Sequence, residues 1–324
     1  MRTSLALSLV TGQAFRMEKI RAGRKKPGLL NQHLTGVNAA KTIGNADVTG
    51  AELGSQTLEF RPGTVTPGGY RFAVGTAGSA TLVLQTILPP LLTAPAESVI
   101  TLEGGTHNPA APPFDFLQRC FAPIIERMGP RIELVLHRPG FYPAGGGSFQ
   151  ARIQPVKQLS SLELLVRGEV QARQARAMIS KLSPQIGERE LAVVRNELGW
   201  GADDCRVESV TSAGPGNALL LELRAKNVTA IFTGFGERGA SAEQVARGAV
   251  ASAKEWMTAD VPVDEHLADQ LLMPLALAGS GSFRTTKPSS HSITNADVIQ
   301  RFVRVAIRFD EESASIWRVT IERK

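Results

Sequence analysis

The sequence predicts an α/β (α+β) fold: three repeated helix-strand-helix-strand units forming one domain, with a smaller inserted α/β domain. Three observations predict it. A helix-like stretch followed by a strand-like one recurs three times along the 324 residues, and such recurrence marks one supersecondary design used repeatedly. The stretch 165–256 interrupts the recurrence with a pattern of its own. Hydrophobic residues make up 43% and charged residues 20% of the chain, ordinary for a globular protein, and the length suits two domains. The expected division is 1–164 plus 257–324 for the repeats, discontinuous in sequence, and 165–256 for the insertion, whose ends fall in surface segments.

Copy one reads SLALSLV as helix, FRMEKIRAG as strand, LLNQHLTGVNAAKTIG as helix and SQTLEFRPG as strand. The opening MRTSLALSLV has one cation and a short apolar run, but no clean small-residue cleavage site. It reads as a helix matching those that open the other copies, not as a signal peptide. Copy two reads LVLQTILPPLL, ESVITLEGG, FDFLQRCFAPIIERMG and RIELVLHRPG. Copy three reads DQLLMPLALAG, SGSFRTTKPSS, NADVIQRFV, VAIRFDEE and WRVTIER. GGYRFAVGTAGS and VPVDEHLA lead into copies two and three, and copy one has no such lead. In the insertion, LELLVRGEVQA, DCRVESV, ALLLELRA and VTAIFTGFGE are strand-like. ERELAVVRNELG has helical spacing and closes on Gly199, and SAEQVARGAVASAKEWMTA is amphipathic with Ser241 as N-cap.

Net charge is +6 and the isoelectric point about 9.6, compatible with a polyanionic partner without requiring one. The two cysteines, Cys120 and Cys205, form no metal-like cluster and fit a reducing, cytoplasmic location. No apolar run reaches the roughly 20 residues that a bilayer demands, so no membrane partner is expected.

The loops carry the candidate chemistry. Arg16, Lys19, Arg21, Arg24, Lys25 and Lys26 crowd a strand end that leads into a helix. Cations there suit phosphate, with the helix start adding its dipole; a solvated charge run is the plain alternative. GTAGSATLVLQ lets a ligand approach the backbone but lacks a P-loop lysine. GGTHNPAAPP and FYPAGGGSF read as turns. His291 lies in the polar loop KPSSHSITN, as His107 lies in the matching loop of copy two. An imidazole in an exposed loop has no core to fill and can serve as base, ligand or nucleophile.

Together IRAGRKKPGLLNQH, ELGSQTLEFRPG, GTAGSATLVLQT, GGTHNPAAPP, FYPAGGG, ADQLLMPLALAG and HSITN, in this order, resemble the RNA 3′-terminal phosphate cyclase family over almost the whole chain. The resemblance implies an ATP-dependent enzyme acting on RNA 3′ ends, with ATP and a divalent metal (Mg or Mn) as cofactors. A histidine takes AMP from ATP, AMP passes to an RNA 3′-phosphate, and the neighbouring 2′-hydroxyl displaces it to close a 2′,3′-cyclic phosphate. It implies that His291 is the adenylylated histidine. Gln85, His266, Leu267, Ala268, Asp269 and Gln270 match adenylate-binding positions, and Pro112 matches a proline against the adenine. Arg21, Arg24, Gln32 and His33 match a polar wall near the phosphates. Where this chain has His266 the family usually has tyrosine, so less stacking on adenine is expected. The family opens on a GEGGGQ-like turn whose glutamate helps hold the metal; the sequence shows no counterpart, so weaker metal-assisted adenylylation is expected. The metal ligands are not identifiable. A non-catalytic relative that binds RNA in ribosome biogenesis would lack the nucleophile, and an enolpyruvyl transferase would need neither His291 nor HSITN.

Overall fold

A computed structural model describes residues 1–324. Copy one contains α1 (Arg2–Thr11), β1 (Phe15–Met17), α2 (Asn31–Ile43), β2 (Asp47–Thr49) and β3 (Leu58–Arg61). Copy two contains β4 (Gly69–Ala73), α3 (Ala80–Leu91), β5 (Ser98–Gly104), and α4 (Phe114–Phe116) running through a π turn (Leu117–Phe121) into α5 (Ala122–Glu126). It closes on β6 (Arg131–Arg138) and β7 (Gly147–Gln154). After β8 (Leu162–Leu164) comes the insertion: β9 (Val170–Ser180), α6 (Gln185–Leu198), β10 (Cys205–Ser209), β11 (Gly216–Ala225), β12 (Thr229–Phe235) and α7 (Ala242–Ala259). Copy three adds α8 (Glu265–Ala278), β13 (Ser280–Thr285), α9 (Ser290–Phe302), β14 (Val305–Ser313) and β15 (Ile316–Arg323).

The recurrence is visible in strand order. Copy two forms the sheet β4-β5-β7-β6, and copy three forms β8-β13-β15-β14. In both, the first pair is parallel and the rest antiparallel. Copy one forms β1-β3-β2, antiparallel throughout. Helix α3 connects β4 to β5, and the insertion together with α8 connects β8 to β13, because parallel neighbours need a long crossover. Each unit therefore closes on two antiparallel strands, one more than the sequence pattern suggests in copies one and two. β2 is only three residues long, and β7 follows directly on the glycine run 145–147, which reads as turn.

The insertion builds its own sheet, β10-β9-β11-β12, with α6 and α7 packed on it. LELLVRGEVQA divides into β8, which belongs to copy three, and β9. Gly168, at a φ of 77°, stands at the break, a left-handed conformation that favours glycine. Strands of the insertion alternate little. Nearly every residue of β11 is buried, as expected of a central strand covered on its faces.

The core does not divide with the sheets. One cluster of 82 buried apolar residues runs from Leu5 through Ala177, Leu219 and Trp256 to Ile321, so the insertion does not have the separate core that an isolated unit would. The π turn and α4 of copy two pack against β12. A buried ionic seam ties the same part of copy two to β9 and β11. Asp115 accepts from Arg176 of β9 and from His107 Nε2 at 2.8 Å, and Arg119 donates to Glu222 of β11 at 2.6 Å. No helix is long and apolar enough to cross a membrane.

Candidate functional site

Two helix starts in copy three hold the centre of the candidate site. Asp264 caps α8, accepting from the backbone N–H groups of His266 (2.8 Å) and Leu267 (3.1 Å). The cap sets the first turn. Leu267 and Ala268 then point into the core, 1% and 2% exposed, so they anchor the helix. Asp269 and Gln270 fall on the opposite side, half-buried, and His266 is exposed. Ser289 caps α9 by accepting from the Ser292 N–H at 3.2 Å. That cap brings Ser290 and His291 into the helix. His291 is thus in the first turn of α9 and not in a loop, while staying exposed as expected.

Asp269 is the hub between these helices. Its Oδ1 and its backbone carbonyl accept from Asn295 Nδ2 at 2.9 and 3.0 Å, and Asn295 Oδ1 accepts from Thr3 Oγ1 at 2.7 Å. Burial pushes the Asp269 carboxyl above its ordinary value. The Asn295 hydrogen bond, Arg2, His291 and His266 all pull the other way, which places both imidazoles and Arg2 in its field. Arg2, Thr3 and Asn295 belong to this centre although none was singled out from sequence. Asn295 was legible, being the last residue of HSITN; a lone Arg2 ahead of an apolar helix offers no signal.

Helix α3 supplies the next side. Gln85 Nε2 donates to Gln270 Oε1, joining two residues 185 positions apart that the resemblance assigns to one adenylate site. Pro112 reaches the start of the same helix: its carbonyl accepts from Thr81 Oγ1 at 2.8 Å. Gln32 Oε1 accepts from the Ser79 N–H at 2.7 Å, tying α2 to the cap of α3.

The basic segment is only partly available to a ligand. Arg21, at a φ of 55°, donates through one guanidinium nitrogen to the carbonyls of Lys26 (2.6 Å) and Gly28 (3.0 Å). It shapes the loop and leaves its charge nearby. Arg24 is exposed. His33 Nδ1 accepts from the Leu30 N–H at 3.1 Å, closing the start of α2. Burial, helped by the charges of Arg21 and Arg2, lowers its value to about 4. His33 is therefore neutral near pH 7. Gln32, His33 and Arg2 line one small recess with Leu82 and Thr86.

His107 differs from His291 despite its matching position. It is buried, 1% exposed. Because an ionised carboxylate only accepts, Nε2 donates to Asp115, and Nδ1 then takes the Thr106 hydroxyl proton at 2.8 Å. Both ring nitrogens are committed, so His107 is part of the seam. No group of three His, Cys, Asp or Glu side chains lies close enough together to hold a metal ion. The chain's own side chains thus do not form a protein cage for a divalent cation.

The RNA 3′-terminal phosphate cyclase family model matches residues 1–309. An RNA 3′-terminal phosphate cyclase of Koribacter versatilis is 54% identical over 313 residues, covering 96% of this chain and 88% of its own. One of Ectopseudomonas mendocina is 46% identical over 324 residues, covering 100% and 95%. One of Salmonella agona is 44% identical over 324 residues, covering 100% and 94%.

Proposed function

The chain belongs to the RNA 3′-terminal phosphate cyclase family, and we propose that it converts an RNA 3′-terminal phosphate into a 2′,3′-cyclic phosphodiester at the expense of ATP, through an adenylylated His291. The observation that carries this reading is the convergence of α8 and α9. An exposed imidazole stands in the first turn of α9, beside the Asp269–Asn295 pair. Helix starts favour anions, so the triphosphate finds backbone N–H groups and a favourable dipole where the nucleophile stands.

An imidazole nitrogen of His291 attacks the α-phosphorus. The N–P bond forms, the bond to the β-phosphoryl oxygen breaks, pyrophosphate leaves and the ring gives up its N–H proton. An oxygen of the RNA 3′-phosphate then attacks the same phosphorus, breaking the N–P bond and freeing His291. The ribose 2′-hydroxyl attacks the 3′-phosphorus, loses its proton and expels AMP. Asp269, held by Asn295, positions the two helix starts and offers its carboxyl to an imidazole as positive charge develops. Adenine is assigned to the surface between Pro112 and His266, with Gln85 and Gln270 presenting amides to its edge. Arg24, Gln32 and the charge of Arg21 face the phosphates.

A divalent cation, Mg or Mn, enters this reading as a companion of the ATP phosphates, which commonly supply most of its ligands. The free thiols of Cys120 and Cys205 support a cytoplasmic location. No observation favours the non-catalytic RNA-binding alternative, since the nucleophile is present and accessible. The test is product analysis. With ATP and an RNA ending in a 3′-phosphate, the terminal phosphate should become resistant to phosphatase and regain sensitivity after mild acid. An RNA that stays phosphatase-sensitive at every ATP and metal concentration would leave only the binding reading.

A further inference from the structure

A cleft of about 1450 Å³ runs between copy two and the insertion. We propose that it binds the single-stranded RNA leading to the reacting 3′ end, with a base stacked on Tyr142 and a phosphate held by Arg238. The proposal rests on the cyclase reading of the His291 site and gives the insertion a task in it.

Gln32 lines the cleft and also holds the Ser79 N–H at the start of α3. Gln85, which meets Gln270, is six residues further along that helix, about 9 Å at the rise of an α-helix. A strand whose end lies in the nucleotide site therefore enters this cleft within about one helical turn and a half.

The walls are already built. The turn 141–147 packs on the turn 212–217 of the insertion so closely that a Cβ on Gly216 would stand 2.1 Å from the Phe141 ring, and one on Gly146 would stand 2.5 Å from Ala213 Cβ. Behind them lies the buried seam of Asp115, His107 and Arg176. Binding thus orders little of the protein, which favours an occupant whose own ordering is costly, such as a flexible single strand.

The chemistry of the lining selects that occupant. Tyr142 is 67% exposed, a flat aromatic face next to Pro143 in a lining that also includes Pro215. Every base has a π-face, so such a platform accepts any sequence. Cations are few. Arg189 is taken by Glu243 through two 2.7 Å hydrogen bonds, which leaves the exposed Arg238 to meet phosphate, with Glu237 beside it. A duplex, with its dense paired phosphates, has no matching charge here.

The experiment compares long and short substrates. Fluorescence anisotropy measures binding of a labelled, 3′-phosphorylated RNA of about ten nucleotides, a usual single-strand site size, and cyclisation of a dinucleotide 3′-phosphate is measured in parallel. Tyr142→Ala is expected to weaken the long RNA about tenfold, the loss of one stacked base. Tyr142→Trp should restore it, and Arg238→Ala should weaken it less. Dinucleotide cyclisation and ATP labelling of His291 should stay at wild-type levels in all three. Binding should fall only shallowly with salt, with a log–log slope of about −1 for one or two phosphates. Unchanged affinity for the long RNA, or an equal loss with the dinucleotide, would overturn the groove. If the wild-type protein is not labelled by ATP at all, the cyclase reading fails on its own, and the anisotropy of the Tyr142 variants still decides whether RNA lies in the cleft.

Discussion

Replacing Asp115 with asparagine tests the seam that joins the insertion to the repeats. Asp115 is 4% exposed and accepts from His107 Nε2 at 2.8 Å and from Arg176, whose side chain is 7% exposed. Burial alone would raise its carboxyl. The hydrogen bonds from His107 and Arg176 and the Arg176 charge outweigh burial and hold it far below the usual carboxylate range. Asparagine keeps the shape but leaves the guanidinium with one carboxylate, Glu208, at 3.1 Å and 36% exposed. Breaking a buried pair by removing one partner costs about 3–5 kcal/mol. Glu208 and the retained amide oxygen reduce that to about 2–4 kcal/mol for Asp115→Asn, still a large share of the usual 5–15 kcal/mol of a folded domain. Urea unfolding at pH 7 measures it. The sign of the pH dependence follows from a depressed native value. The stabilisation is present above the unfolded aspartate value, about 4, and is lost as pH falls below it. The gap between wild type and variant should be widest at neutral pH, begin to narrow below about pH 4, and go on narrowing as pH falls toward the depressed native value. A loss under about 1 kcal/mol, or a gap independent of pH, would show that the Asp115–Arg176 pair does not hold the insertion to the repeats. A cycle with Arg176→Met should also show coupling, since the two side chains touch.

Three further outcomes are expected. Glu190 is fully buried, with Asn217 Nδ2 donating to it at 2.9 Å, and burial raises it to about 7; its contribution is therefore favourable below about pH 4.5 and fades as pH rises to about 7. Glu190→Gln should stabilise the protein by about 2 kcal/mol at pH 8 and little at pH 5, and equal melting temperatures of the two proteins at pH 8 would contradict this. His33, lowered to about 4, should keep a neutral ring in NMR titration down to about pH 5, with stability declining as pH falls from about 6.5 toward 4; a midpoint near 6.5 would show that the ring is not desolvated. His266→Tyr should tighten ATP binding by about 0.5–1.5 kcal/mol through added stacking, read by calorimetry, and unchanged affinity would remove His266 from the adenine site.

The helices and most strands were legible because their signals are local. Gly199, Ser241 and the apolar periodicity of α6 and α7 act over a few residues, and the structure places the elements where those signals stand. β2 and β7 were not legible: one is too short to alternate, and the other follows glycines that read as turn. The grouping of Gln85 with Gln270, and of Asp269 with His266 and His291, came through family resemblance. No local property of a glutamine on α3 announces a partner 185 positions away. His107 shows the opposite failure. Its sequence setting mirrors that of His291, yet Asp115, eight residues on, commits it to the core. The continuous core across the insertion was hidden for the same reason, because a buried seam between Asp115 and Arg176 is a tertiary fact.

The proposed cyclase chemistry turns on adenylylation of His291. Incubation with ATP labelled in the α-phosphate, followed by acid and alkali treatment and peptide mapping, reads that step. Label should be lost in acid, survive alkali, and map to the peptide containing His291, with none on His107 or His33. His291→Ala should give no labelled protein, because the missing nitrogen is the bond-forming atom. Label persisting in His291→Ala at the wild-type level would rule out His291 as the nucleophile.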